Sequence, residues 1–198
     1  MPRSIRLLVA ALAALAVSAC ANVPPPRPTF PPLSYASQQP LTFEAASVEL
    51  VNEHVAPQAP PNVEHLAPVA PATAALTWAR DRIKVTGTGN RTVKVIVRNA
   101  KIVETDLKKT PGLRGAFTTD QVTRYDAEAE VVVEVRGERG FRDAFATGSA
   151  SRSTSVAENA TLNDRDRVLY QLVQGLMQDI DGQLERNINN FMSLYLQR

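Results

Sequence analysis

Apolar positions recur with period two in several stretches of this chain and with helical period in two others. From Leu41 the apolar phase runs through Phe43 and Ala45, then resumes at Val48 and Leu50. A one-residue shift of this kind predicts a first strand over 41–51 with a bulge near Ala46-Ser47. Val93, Val95 and Val97 alternate with Lys94 and Arg98, and that strand continues through Ile102-Val103 after a second change of phase near Asn99. Tyr125, Ala127, Ala129, Val131, Val133 and Val135 then occupy one face of a third strand, with Glu128, Glu130 and Glu134 on the other. Arg136 to Gly140 make a hairpin connection, and Phe141 to Val156 form a fourth strand, rich in Ser and Thr toward its end.

Ala72, Leu76, Ala79 and Ile83 fall at helical spacing and predict a helix over 72–84, with Trp78 near the edge of its apolar stripe. Five prolines between Pro57 and Pro71 exclude a regular element just before it. A second helix occupies the C-terminal stretch, where Leu162, Leu169, Leu172, Val173, Leu176, Ile180, Leu184, Ile188, Phe191 and Tyr195 share one stripe. Thr161 and Asp164 are placed as a capping pair at its start. About 35 residues of helix would run roughly 50 Å, so its last turns are expected to overhang the sheet. The fold class is α+β: a two-layer sandwich with a mainly antiparallel sheet of about four strands. One short and one long C-terminal helix cover one face of it, in the order β-α-β-β-β-α.

Before the domain, Arg3 and Arg6 precede an uncharged run, Leu7 to Ala16, that closes with Val17-Ser18-Ala19-Cys20. Ten helical residues span about 15 Å, half of a bilayer core, which excludes a transmembrane anchor there. The layout is that of a secretory signal, and Val17-Ser18-Ala19-Cys20 resembles the lipobox of bacterial lipoproteins. That resemblance implies cleavage before Cys20 and acylation of this cysteine, which is the chain's only one. The plain alternative is a secretory signal that happens to end at a cysteine. Ala21-Asn22 follow where lipoproteins retained in the inner membrane usually carry Asp, which by the same analogy implies an outer-membrane anchor facing the periplasm.

Composition changes this picture in two ways. The chain of 198 residues carries 22 Lys+Arg and 20 Asp+Glu, but the signal holds two of the arginines and no acid. The mature chain therefore balances at zero, and no nucleic-acid partner is expected. Twelve of the 14 prolines lie between Pro24 and Pro71, seven of them by Pro40. Such a stretch favours polyproline II and serves as a spacer of about 55 Å, or, through its PPPRP segment, as a docking peptide. The expected organisation is a signal at 1–19, a lipidated cysteine and tether at 20–40, and a single periplasmic domain at 41–198.

Enzyme chemistry finds little support. His54 and His65 are the only histidines and lack metal-ligand spacing, so no metal site is expected. There is no nucleophile elbow, phosphate loop or dinucleotide fingerprint, and no cofactor is expected. Glu128, Glu130 and Glu134 read as one half of a charged open face, with Lys94 and Arg98 on the neighbouring strand. Lys108, Lys109 and Arg114 make a cationic loop, either solvated or in contact with lipid headgroups. On the long helix Gly175 and Gly182 project away from the apolar stripe, beside Gln171 and Gln178. Each interior glycine costs about 1 kcal/mol against alanine. The pair marks either tolerated drift or a docking face for a partner backbone.

A Pro-rich tether followed by a small helix-on-sheet domain resembles, in architecture, the envelope lipoproteins that assist lipopolysaccharide assembly and the auxiliary lipoproteins of ABC-type transporters. The resemblance implies a non-enzymatic accessory or scaffold whose partner is an outer-membrane barrel or a transporter subunit. The competing class is a lipid- or small-ligand-binding module. That class requires a cavity between sheet and helices, whereas a scaffold is expected to have a filled core.

Overall fold

The computed structural model describes residues 29–107 and 121–197. In chain order these form β1 (Leu41–Phe43), β2 (Ser47–Asn52), a 3-10 turn (Glu64–Leu66), α1 (Pro71–Arg82) and β3 (Ile83–Val85). Then come β4 (Thr92–Asp106), β5 (Gln121–Arg136), β6 (Arg142–Ala157), α2 (Leu162–Phe191) and a closing 3-10 turn (Ser193–Tyr195). The main sheet has the order β2-β4-β5-β6, antiparallel except for the parallel pair β2–β4. The expected α+β class holds: two helices on one face of a mainly antiparallel four-stranded sheet.

Two phase changes in the pattern have different structural meanings. Near Asn99 the ladder between β4 and β5 shifts register at Val97/Asn99, a bulge that moves the inward set from Val93, Val95 and Val97 to Ala100 and Ile102. Near Ala46 the expected single bulged strand is instead two strands in two sheets. β1 pairs in parallel with β3 (Leu41↔Ile83), while β2 pairs with β4 (Ser47↔Thr92). The first helix is correspondingly shorter than expected, because Ile83–Val85 leave it to pair with β1. Pro71 sits in its first turn, where the missing N–H costs nothing.

The core lies between the inner sheet face and the helices. Alanines on α1 (Ala74, Ala75, Ala79) and small residues on β6 allow close layer contact, and Trp78 is fully buried rather than at the edge of a stripe. At Gly148 on β6 a Cβ would meet Leu184 Cγ of α2 at 2.6 Å, so any side chain there must displace α2 or Leu184. The capping box at Thr161 and Asp164 forms as expected. Helix α2 spans 30 residues, shorter than the roughly 35 expected. It stops at Phe191, and the chain turns back so that Leu196 bridges Phe43 and Gln197 N–H donates to Thr42 O at 2.8 Å.

Helix α2 runs antiparallel to β6 (Arg152 to Asp179, Thr147 to Asn187) and in the same direction as α1 (Trp78 to Asp181, Arg82 to Glu185). The domain therefore has two poles. One collects the ends of β4 and β6 and the start of α2. The other collects the β5–β6 hairpin, the end of α2 and the closing turn, with the Arg91 guanidinium over the Tyr195 ring and 3.5 Å from Asp143.

Candidate functional site

Of the residues singled out from sequence, Val17 to Cys20, the PPPRP segment, Lys108, Lys109 and Arg114 lie outside the described residues. The tether's second half does not. Phe30 stacks on Tyr170 of α2 with ring centroids 5.0 Å apart, and Leu33 and Tyr35 are buried in the core. Packing is thus already present at Phe30, well before the boundary expected at Leu41.

Polar contacts hold this strap in place. The Asp81 carboxylate accepts from Tyr35 N–H at 2.7 Å and from the Ser34 hydroxyl at 3.2 Å. Arg82, 1% exposed, donates to the Gln39 carbonyl, to Asp181 at 2.9 Å and to Glu185 at 2.7 Å. Asp181 also accepts the Trp78 indole N–H at 2.6 Å. A buried guanidinium with three acceptors, one from the strap and two from α2, satisfies the rule that buried charge must be paired and hydrogen-bonded. Burial, with the negative charge of Asp181 and Asp81 nearby, pushes the Tyr35 phenol well above its ordinary value. Sequence reasoning missed this cluster, although Phe30, Leu33 and Tyr35 are an apolar series inside an otherwise polar, Pro-rich stretch.

The back of α2 differs from expectation at its first glycine. Gly175 is buried, and a Cβ there would meet the Arg152 guanidinium of β6 at 2.7 Å. Arg152 in turn forms a two-pronged pair with Asp179, at 2.5 and 3.0 Å. The chain's own side chain fills the space, so Gly175 is not a solvent-facing element of a docking face. The physical reason is that β6 flanks α2 closely enough for a long side chain to cross it. Gly182 is half-buried with only Arg186 nearby, at 3.4 Å, while Gln171 and Gln178 are exposed.

Helix α2 also covers part of the β6 edge. Gln183 accepts the Ser149 N–H at 2.5 Å and Asn187 donates to the Thr147 carbonyl at 2.8 Å, occupying backbone groups that an edge strand would otherwise offer to another chain.

The outer sheet face is charged, as its pattern implied. Lys101 pairs with Glu128 at 2.9 Å and Arg98 with Glu130 at 3.6 Å, while Lys94 turns to Glu49 at 3.0 Å. Glu134 is 3% exposed despite lying on this face, because Arg136 (2.7 Å) and Arg142 (3.3 Å) close over it. Its desolvation is outweighed by these hydrogen bonds, and its carboxyl titrates below the ordinary range. A cleft of about 410 Å³ on this face is walled by Arg124, Asp126, Glu128, Ser151 and Ser153, a lining unsuited to an apolar guest.

His65 is exposed and does not fix its loop. Glu64 does so instead, accepting the Ile102 N–H at 3.3 Å with His54 Nε2 3.8 Å away. Among the described residues no group of three or more His, Cys, Asp or Glu is placed to hold a metal ion, and no helix is long and apolar enough to cross a membrane.

No family model matches the chain, and no curated protein does. Among solved structures it is similar to a minor lipoprotein from Acinetobacter baumannii at 16% identity and a TM-score of 0.34, over 80% of this chain and 99% of that one. It is also similar to the PelC dodecamer from Paraburkholderia phytofirmans at 14% identity and a TM-score of 0.23, over 72% of this chain and 91% of that one.

Proposed function

We propose that this protein is a lipoprotein of the outer membrane, anchored through Cys20 and facing the periplasm, and that it acts as a non-enzymatic scaffold for an envelope assembly or lipid-transport complex. The observation that carries the reading is the sole cysteine closing an export signal, followed by a short Pro-rich chain that enters the domain at Phe30. Anchoring confines the domain near other membrane components, and the raised effective concentration lets weak contacts suffice. The layer between sheet and helices favours a scaffold over a ligand carrier. Among the described residues, Trp78, Leu176, Ile180, Leu184 and Ile188 are packed there with no exposure, as a filled core requires.

Co-purification of the tagged full-length protein from membranes in mild detergent tests the reading, with mass spectrometry of partners and of the N-terminal peptide. Acylated Cys20 and a stoichiometric barrel or transporter partner are expected. An unmodified Cys20 overturns the anchor. An acylated protein recovered alone after crosslinking, with bound lipid, replaces the scaffold role with ligand binding.

A further inference from the structure

We infer that the domain meets the bilayer with one defined pole, the one that carries the start of α2, and holds the β5–β6 hairpin pole away from it. The inference rests on the anchor at Cys20 proposed above and adds an interaction surface whose occupant is the lipid surface of the same membrane. Its basis is the length of chain between that anchor and Phe30, the first packed residue among those described. Ten residue steps separate Cys20 from Phe30, and even fully extended they span at most about 34 Å.

Phe30 is fixed on Tyr170, eight residues into α2, roughly 12 Å along the axis from Leu162. From Tyr170 to the end of α2 at Phe191 is about 32 Å, and the closing turn lies beyond that. To touch the membrane with the hairpin pole, the tether would have to run dead straight along the helix, with nothing left for the width of the domain. To touch it with the near pole it needs less than half of that reach. The near pole also offers the side chain that an interface prefers. Leu162 is 76% exposed at the first position of α2, and Leu66, 58% exposed, stands in the turn that leads into α1 at the same end.

Among the described residues at this pole, Arg167 pairs with Asp164 at 3.1 Å, and Arg165 donates to the Tyr125 hydroxyl at 3.3 Å. The contact these residues offer is apolar, at the headgroup boundary. The far pole exposes Phe141 by 73% and Leu194 by 85%, and this orientation presents both to the periplasm.

The test uses the full mature lipidated protein, purified from membranes and reconstituted on 3:1 phosphatidylethanolamine:phosphatidylglycerol vesicles. Tryptophan is introduced as Leu162→Trp or Phe141→Trp, and the acyl chains are brominated so that they quench tryptophan they touch. Trp78 is buried and contributes the same background to both proteins. The expected result is at least a twofold loss of the added emission for Leu162→Trp and none beyond wild type for Phe141→Trp. Quenching of Phe141→Trp, or of neither while the protein stays vesicle-bound, overturns the orientation. Protein that floats free of vesicles and shows an unmodified Cys20 by mass overturns the anchor itself, and the orientation with it. A destabilised variant is recognised by its melting curve, and Leu66→Trp then repeats the near-pole reading.

Discussion

Replacing Asp181 with alanine should be among the most damaging single changes in the domain. Asp181 is 8% exposed and accepts two hydrogen bonds, from the Trp78 indole at 2.6 Å and from Arg82 Nε at 2.9 Å. Asp181→Ala leaves a guanidinium that is 1% exposed short of its most buried acceptor and orphans an indole N–H. Breaking one side of a buried ion pair costs about 3–5 kcal/mol. For a domain of this size each kcal/mol lowers the melting temperature by roughly 2–4 °C, so a fall of about 6–20 °C is expected. Urea unfolding followed by the fluorescence of the single tryptophan measures it, because Trp78 is itself one of the partners. Arg82→Met removes the other side, and in the double variant both the stranded charge and its cause are gone. The double variant should therefore lose at least about 1 kcal/mol less than the sum of the singles. Additive losses, or a cost below about 1 kcal/mol for Asp181→Ala, would refute the claim that these groups act as one buried unit.

Four further outcomes are expected. Gly148→Ala drives a methyl into Leu184 Cγ at 2.6 Å and the Ile180 carbonyl at 3.2 Å, and should cost about 1–3 kcal/mol in urea unfolding. Gly175→Ala meets only the movable end of Arg152 and should cost less. A fragment beginning at Leu41 should melt lower than one beginning at Thr29, because it lacks buried Leu33 and Tyr35 and removes the Gln39 carbonyl from Arg82; equal melting would show the strap to be passive. In acid, Asp179 (held down by Arg152), Glu134 (by Arg136 and Arg142 against its own desolvation) and Asp126 (by Ser153) all titrate below their ordinary values when folded. Depressed carboxylates contribute stability that is full above about pH 5 and is lost as pH falls through their folded values, so the urea midpoint should be flat from pH 5 to 7 and drop below about pH 4.

The long strands and α2 were legible because, apart from Ile96, Val132 and Glu134 on the outer face, each buries mainly one face, which forces a clean period onto the sequence. Val131, Val133 and Val135 face inward while Glu128 and Glu130 face water, and the capping pair at Thr161 marks a helix start without help from packing. The split between β1 and β2 was not legible. A bulge and a crossing between sheets both appear as a one-residue phase shift, and only the partners, Ile83 for one and Thr92 for the other, tell them apart. The strap was hidden by composition, since prolines exclude regular structure but not packing. Gly175 was misplaced for a related reason: a helical wheel knows the direction of a side chain from its own axis, but not that Arg152 of β6 reaches across that flank.

These contacts also narrow how the domain can bind anything else. Edge strands recruit partners by donating open backbone groups. On β6, Gln183 and Asn187 from α2 occupy Ser149 N–H and Thr147 O, so strand addition there would first have to displace the helix from its own sheet. The bare backbone at Gly175 is filled by Arg152, and the outer face is tied up in ion pairs between neighbouring strands. The hairpin pole is built differently. Phe141 stands 73% exposed at the hairpin and Leu194 85% exposed in the closing turn, and neither packs into the core. A partner that recognises apolar side chains finds them at that pole, whereas one that adds a strand at Thr147–Ser149 meets backbone groups already used by the domain itself.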